Sequence, residues 1–425
     1  EAAKLSQGAL IVKTKPLHRT SSLLFVLGLI FSLNSPSAAA DAEPDLAELI
    51  NLRLAEMKDV AAYKWLNDLP IEDLERERAV IDAAQKSGLR FGFTVTSSQA
   101  FFSQQINAAK EIQRHWFQVW RNSNGPNSAP DLNNDVRPRL IELGNRITVA
   151  LADAIADQER GSNHMPLKIS AEGLSAESAI QLAAAAANLE FYANHLDQVI
   201  DSRVLRVGTT FDYAPFSFKE NGEPLGIDLA LAADLANSLG AELKLVETSW
   251  PTLMVDLQAG KFDVGMSGIS INLQRQRKAL FSEPHHTGGK TPITRCKDVK
   301  RFDQLSKIDQ PDVRVIVNPG GTNQRFVDSR IKQAKVRIHP DNRTIFAEIE
   351  QNRADVMITD AIEVQLQTFL NPGLCAAMPG QTLTHQEKGF LLPQDLIWKL
   401  YIDSWLNQRT QEGEVSQLFK QFLAP

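Results

Sequence analysis

Several residues in the first half of the chain carry a chemistry that a folded core does not need. Arg53 and Lys64 fall inside an apolar stripe made by Leu46, Leu49, Ile50, Met57, Val60 and Ala61. They lie about three helical turns apart, which puts both on nearly the same side of a helix. Cations on a core-facing side are costly unless anions meet them. Snorkelling of long cationic stems at the edge of the stripe also fits this spacing. A second stripe, Phe102, Ile106, Ala109, Trp116 and Trp120, has Gln113 within it. Arg76 and Glu77 follow the turn LPIED at 69–73, and Arg137 follows an Asn/Pro-rich loop. Three arginines, a lysine and a glutamine, with no paired Ser, His or Cys nucleophile, do not suit hydrolysis. They suit the holding and polarising of one polyanion. Far along the chain, Asp360 and Glu363 form D-x-x-E after a β-branched run, which fits a helix capping box.

Two regions with different rhythms must position these groups. Residues 45–196 read almost entirely as helix, with apolar positions recurring at three and four. Loops are expected at 122–130 (NSNGPNSAP) and 161–166. An Ala-rich helix is expected over 175–200, followed by a hinge at Asp201–Ser202. Residues 203–425 alternate helical stretches with short β-branched runs at 204–208, 243–247, 313–317 and 355–358. That is the pattern of an α/β domain with a largely parallel sheet.

Composition bounds the possibilities. The chain has 425 residues, enough for two or three domains, with 43% apolar and 23% charged residues, as in ordinary globular proteins. The formal net charge is −6, so no basic excess exists for nucleic acid. Lys13, Lys15, His18 and Arg19 precede an apolar run at 23–33 and a small-residue stretch, SPSAAA, at 35–40. This order predicts a secretory signal over 1–40, whose apolar run at 23–33 is too short to span a bilayer as a helix, and hence an exported protein without a stable membrane anchor. The two cysteines, Cys296 and Cys375, cannot build a four-cysteine zinc site. They could form one disulfide in an oxidising compartment.

Residues 49–77, LINLRLAEMKDVAAYKWLNDLPIEDLERE, resemble the all-helical chorismate mutases, the exported subclass in particular. The resemblance implies that Arg53, Arg76 and Arg137 bind the two carboxylates of chorismate. It implies that Lys64 and Gln113 meet the ether oxygen where negative charge grows. Asp73 and Glu77 would hold the substrate hydroxyl and orient the cations. Such a site works by electrostatic stabilisation and conformational trapping, with no covalent intermediate, metal or cofactor.

The second region opens with VLRVGTTFDYAPFSF at 204–218 and continues through MSGISINLQR at 266–275. This resembles the two-lobed periplasmic solute-binding fold of the amino-acid type. The resemblance implies a ligand between the lobes, sandwiched by Tyr213 and Trp250. Arg275 would grip its carboxylate, and Gly268, Ser270 and Thr322 would add backbone and hydroxyl contacts. The segments KTPITRC (290–296), VNPGGTN (317–323), HPDNRTIF (339–346) and MITDAIE (357–363) narrow the resemblance to cyclohexadienyl dehydratase. That family implies Glu363 as the acid that protonates a departing ring hydroxyl while CO2 leaves, kept protonated by desolvation. It further implies Asn318 as the neighbour orienting that acid, Lys290 beside a substrate carboxylate, Asp360 at a ligand ammonium, and a Cys296–Cys375 disulfide within one lobe.

The expected organisation is multidomain: a signal over 1–40, an all-helical mutase domain over 41–200, and a two-lobed α/β dehydratase domain over 201–425. Its lobes are expected at about 203–292 plus 388–425, and 293–387. Chorismate would become prephenate in the first domain and phenylpyruvate in the second, with arogenate a further substrate of the second. The protein would be periplasmic, and a homo-oligomer is left open. The alternative is a periplasmic solute receptor with an accessory helical domain.

Overall fold

The computed structural model describes residues 44–159 and 167–423. The signal-like segment 1–40 and the loop at 161–166 lie outside them. The helical region contains α1 (Leu46–Ala55), α2 (Met57–Leu66), α3 (Leu74–Leu89), α4 (Val95–Arg121), α5 (Arg137–Glu159) and α6 (Ala176–Ala187). Asp45, Asp73, Thr94 and Ser175 each accept a backbone N–H of the turn that follows, which starts the helix behind them. The first amphipathic segment is interrupted at Glu56, which keeps helical dihedrals of −60° and −18°. The apolar stripe therefore runs on from α1 into α2. Ile50, Leu54, Ala61, Phe101, Ile112 and Ile147 lie in the centre of this helical core, all essentially inaccessible to solvent.

The expected long helix over 175–200 does not form. α6 stops at Ala187, and residues 188–194 are non-helical before α7 (His195–Ser202) begins. Phe191 bridges to Phe93, Tyr192 donates its N–H to Gly92 O at 2.8 Å, and Asn194 caps α7. These contacts are worth more to the segment than the helix its alanines favour. Asp201–Ser202 is thus no hinge, because both residues belong to α7. That helix sits on the second domain: Val199 is buried in its core, Gln198 donates to Asp263 at 3.2 Å, and the His195 N–H donates to Asp395 at 2.7 Å. The helical run thus breaks at 188–194, and α7 packs with the α/β region that follows it.

The second domain has two five-stranded sheets. Its strands are β1 (Val204–Thr209), β2 (Asp212–Tyr213), β3 (Ser217–Glu220), β4 (Glu223–Leu225), β5 (Glu242–Glu247), β6 (Val264–Gly265), β7 (Leu280–Phe281), β8 (His286–Gly288), β9 (Lys290–Arg295), β10 (Arg314–Val317), β11 (Lys335–Ile338), β12 (Val356–Asp360), β13 (Leu374–Ala376), β14 (Gln386–Lys388) and β15 (Leu391–Leu392). One sheet is ordered β5-β1-β6-β15-β7 and the other β11-β10-β12-β9-β13. The central pairs β1–β5, β1–β6, β10–β11 and β10–β12 are parallel. Strands β8 and β14 pair antiparallel and carry the chain between the lobes. Lys290–Arg295 pairs with β12, so 290–292 belong to the second lobe, a few residues earlier than expected. Cys296 and Cys375 are bonded within that lobe, with Cα atoms 4.7 Å apart.

The two domains touch closely where α3 ends. Gly260 has a left-handed φ of +61°, and a Cβ there would stand 2.0 Å from the Arg90 carbonyl oxygen. Arg206 donates to Gly260 O at 2.7 Å and to Leu89 O at 3.4 Å, while binding Asp263. Gly260→Ala is therefore expected to lower stability by at least about 2 kcal/mol, from backbone strain and the displaced contact. A thermal melt beside protease cutting at 188–194 checks this: earlier cutting than wild type is the expected result.

Candidate functional site

The helical domain encloses a cavity of about 340 Å³. All the side chains expected in it line it: Arg53 from α1, Lys64 from α2, Asp73, Arg76 and Glu77 from the start of α3, Gln113 from α4 and Arg137 from α5. Arg53 is only 9% exposed and its Nε has no partner among the described residues. Burial, and then Arg76, push its pKa down to about 10. This side chain does not snorkel, since its charged end is inside. Lys64 donates to the Ile71 carbonyl at 2.7 Å. Burial pulls its pKa down, Asp73 and Glu77 oppose that, and Arg137 adds to the fall. Asp73 caps α3 through Arg76 N–H at 3.0 Å, so one of its oxygens is already committed. Arg137 is steadied by Asn133. Gln113 donates to Ala109 O at 3.1 Å, while its buried Oε1 has no partner. Donation to a ligand requires the amide to turn.

The sequence reading missed Lys110, which pairs with Glu77 at 3.0 Å and also lines the cavity. Its position three residues before Gln113 on α4 was the available signal. Among the described residues that line the cavity, cations thus outnumber carboxylates five to two, and none is His or Cys. The arrangement can bind a compact dianion and stabilise negative charge developing inside it.

The second site lies between the lobes. Tyr213, Trp250, Gly268, Ser270 and Arg275 come from the first lobe, and Asn318, Thr322 and Asp360 from the second. The lobes are closed on one another: Asn342 reaches across to Asp212 O at 2.9 Å, Tyr213 OH donates to Asp360, and the remaining space is about 20 Å³. That is room for about one water, so a substrate enters only when the lobes part. Gly268 must be glycine, because a Cβ would come 2.4 Å from the Phe216 ring at a φ of +61°. Arg275 is 3% exposed, donates to Ser270 O at 2.8 Å, and leaves Nε without a partner. Burial, and then Arg325, bring its pKa down to about 10 against the pull of Asp360. A buried guanidinium with a free donor is a carboxylate seat.

Glu363 is 2% exposed, and among the described residues its one hydrogen bond comes from the Thr359 hydroxyl. Burial pushes its pKa up to about 8. Thr359 opposes the rise, Asp360 adds to it, and Lys290 and Lys388 oppose it. It is a carboxylic acid, not a carboxylate, at neutral pH. The capping-box alternative fails: Asp360 precedes the helix Ala361–Leu370 but makes no side-chain cap. Its carboxylate turns instead to Lys290 at 2.6 Å and Lys388 at 2.5 Å. Burial alone would raise Asp360, but the two lysines hold it well below the usual carboxylate range.

Four expected placements change. Glu363 does not line the closed cleft, where Asp360 is the lining carboxylate. Asn318 makes no hydrogen bond to Glu363 among the described residues. It accepts from Asn323 at 3.0 Å, and Asn323 donates at 3.0 Å to Thr359, which holds the acid. Lys290 does not line the cleft, since Thr322 at 3.0 Å, Asn323 and Asp360 consume its donors. Asp360 has no oxygen open to an ammonium, because both are taken. Lys388, Asn323, Thr359 and Asn342 were missed. Asn323 and Thr359 lie inside motifs quoted for other residues, whereas nothing local marks Lys388.

Residues 205–425 match the bacterial extracellular solute-binding proteins, family 3, and residues 39–114 match chorismate mutase type II. The chain is 50% identical over 240 residues to cyclohexadienyl dehydratase of Pseudomonas aeruginosa, covering 56% of this chain and 90% of that protein. It is 37% identical over 145 residues to a secreted chorismate mutase of Yersinia pestis, covering 33% of this chain and 77% of that one. Among solved structures, an ancestral amino-acid-binding protein described as a precursor of cyclohexadienyl dehydratase aligns at 32% identity with a TM-score of 0.51, over 54% of this chain and 99% of its own.

Proposed function

We propose a two-step enzyme from the premise that this chain belongs to the bacterial extracellular solute-binding proteins of family 3, as a relative of cyclohexadienyl dehydratase, and carries a type II chorismate mutase domain ahead of it. The helical domain converts chorismate to prephenate. Arg53, Arg76 and Arg137 hold the two carboxylates. Lys64, with Gln113 after its amide turns, stabilises the ether oxygen as its C–O bond breaks and the new C–C bond forms. Glu77, steadied by Lys110, and the free oxygen of Asp73 receive the hydroxyl. The site lowers the barrier by fixing the reactive conformer and by meeting charge as it develops.

The α/β domain converts prephenate to phenylpyruvate. Arg275 seats a carboxylate. Glu363 gives its proton to the ring hydroxyl, which leaves as water. The ring carboxylate leaves as CO2, and its bonding electron pair completes the aromatic ring. Glu363 then regains a proton from solvent. One proton is consumed for each CO2 and water released. Aromatisation drives the step, so one placed acid suffices.

The observation that carries this reading is Glu363, a carboxyl buried at 2% exposure with a pKa near 8. A receptor that only binds and releases gains nothing from that desolvation cost. The test is prephenate supplied to the purified protein across pH 6–10, with phenylpyruvate as the readout. The acid is active when protonated. The rate should therefore be flat below about 8 and fall about tenfold per pH unit above it. Binding without turnover, as a receptor predicts, would sink the dehydratase half.

Export fits the same reading. The order of residues in 1–40 is that of a secretory signal, a disulfide suits an oxidising compartment, and one relative is named as secreted. Among the described residues, no helix is long and apolar enough to cross a membrane. The protein would thus supply a phenylalanine precursor outside the cytoplasm.

A further inference from the structure

The cavity of the helical domain is longer than the rearrangement of one small dianion requires. Its lining on α3 runs from Asp73 to Ser87, a rise of about 21 Å at 1.5 Å per residue. Charge is confined to one end. Arg53, Lys64, Arg76, Lys110 and Arg137 gather there, and the buried Arg53 Nε and Gln113 Oε1 have no partner among the described residues. Past Glu77 on α3, before Ala109 on α4 and after Arg137 on α5, the described lining residues carry no charge. Val80, Ala83, Phe102, Ile106, Ile141 and Gly144 belong to that far part. Phe102 is buried, whereas Ile141 is 56% exposed, so this part is a groove with an inner wall and an open rim.

Gly144 is the unexpected member. It is the eighth residue of the 23-residue helix α5, where glycine weakens a helix relative to alanine. A close neighbour that leaves no room for a Cβ would explain it, but an added Cβ meets nothing within 4 Å. The missing side chain opens the groove instead. Side chains on a helix lean toward its N-terminus, so a larger residue at 144 would lean over Ile141, toward the cations near Arg137. An apolar space joined to a cationic end fits one class of ligand: an aryl group on a short chain that ends in a carboxylate. An ammonium on that chain would stand among like charges.

Resting on the mutase reading above, we propose that this groove binds aromatic 2-oxo acids, with the carboxylate at the cationic end and the ring against Phe102 and Ile141, so that the product of the second domain inhibits the first. Chorismate and such an acid need the same cations, so the inhibition is competitive.

The test follows initial rates of chorismate consumption with phenylpyruvate, pyruvate or phenylalanine added, in the wild-type protein, Gly144→Ala and Gly144→Leu. Phenylpyruvate should inhibit competitively, at least about tenfold more strongly than pyruvate, which has no ring, or phenylalanine, which has an ammonium. Gly144→Ala should melt above the wild type, and a lower melting point would mean that the space is not open, which overturns the inference. In Gly144→Leu the ratio of the phenylpyruvate Ki to the chorismate KM should rise at least about tenfold, because the leucine takes the place of the ring. Phenylpyruvate no stronger than pyruvate or phenylalanine overturns the inference, as does a ratio unchanged in Gly144→Leu. The three ligands on the wild type decide the matter even if the Leu variant does not fold. A wild type that leaves chorismate to its spontaneous decay defeats the mutase reading beneath. Calorimetric titration then decides the groove by itself: the wild type should bind one equivalent of phenylpyruvate more than Gly144→Leu, and equal stoichiometries overturn it.

Discussion

Glu363→Gln should stop phenylpyruvate formation, by about 10³-fold, while leaving chorismate consumption unchanged. The glutamine keeps the size of the side chain and an oxygen for the Thr359 hydroxyl to donate to, so the local packing is preserved. What is lost is the transferable proton. With chorismate as the starting material, prephenate should accumulate one for one. This separates an acid from a structural carboxyl, because a structural loss would also change folding. A variant that still forms phenylpyruvate rapidly would remove Glu363 from the mechanism. The variant also removes a buried group that resists ionisation, so its stability should no longer depend on pH as Glu363 titrates. Burial raises the folded pKa to about 8, so this group favours folding at low pH. That contribution fades as pH rises from the ordinary Glu range through 8.

Arg53→Met should abolish the mutase step by about 10³-fold and raise the melting temperature, or at least leave it unchanged. The guanidinium is buried, its Nε has no partner, and its pKa is pushed down to about 10. Such a charge costs stability in the ligand-free protein, and an apolar chain of similar volume relieves that cost. A purely structural arginine would behave in the opposite way, with stability falling and any activity loss following it. Lys64→Ala should lose the first step to a similar extent. Prephenate added to either variant should still become phenylpyruvate, measured in the same cuvette. Loss of both steps would mean that the variants report on folding.

The two sites were legible in the sequence to different degrees, and for physical reasons. The mutase residues announce themselves locally. A cation inside an apolar stripe contradicts the burial pattern of its own helix, and Arg53 and Lys64 both do so. Lys110 escapes, because on a helix edge its charge looks like ordinary surface until Glu77 is seen opposite. In the second domain D-x-x-E could be a cap or a site, and three-dimensional partners decide. Lys290 and Lys388 claim Asp360, and Thr359 claims Glu363. No rule of spacing links Lys388 to Asp360, 28 residues away on a different strand. The helix break at 188–194 is not legible, because Leu189 and Phe191 continue the apolar rhythm of α6. Phe191 in fact serves the bridge to Phe93, and Asn194 starts a new helix. Local propensity yields there to contacts that only the folded chain provides.

The most direct test of the central claim is one time course. Purified protein is mixed with chorismate near pH 7, and chorismate, prephenate and phenylpyruvate are followed together. The expected record is loss of chorismate far above its spontaneous rate, a transient of prephenate, and a final yield of phenylpyruvate equal to the chorismate consumed. Chorismate that decays only at its uncatalysed rate, or prephenate that forms and then persists, would contradict the account.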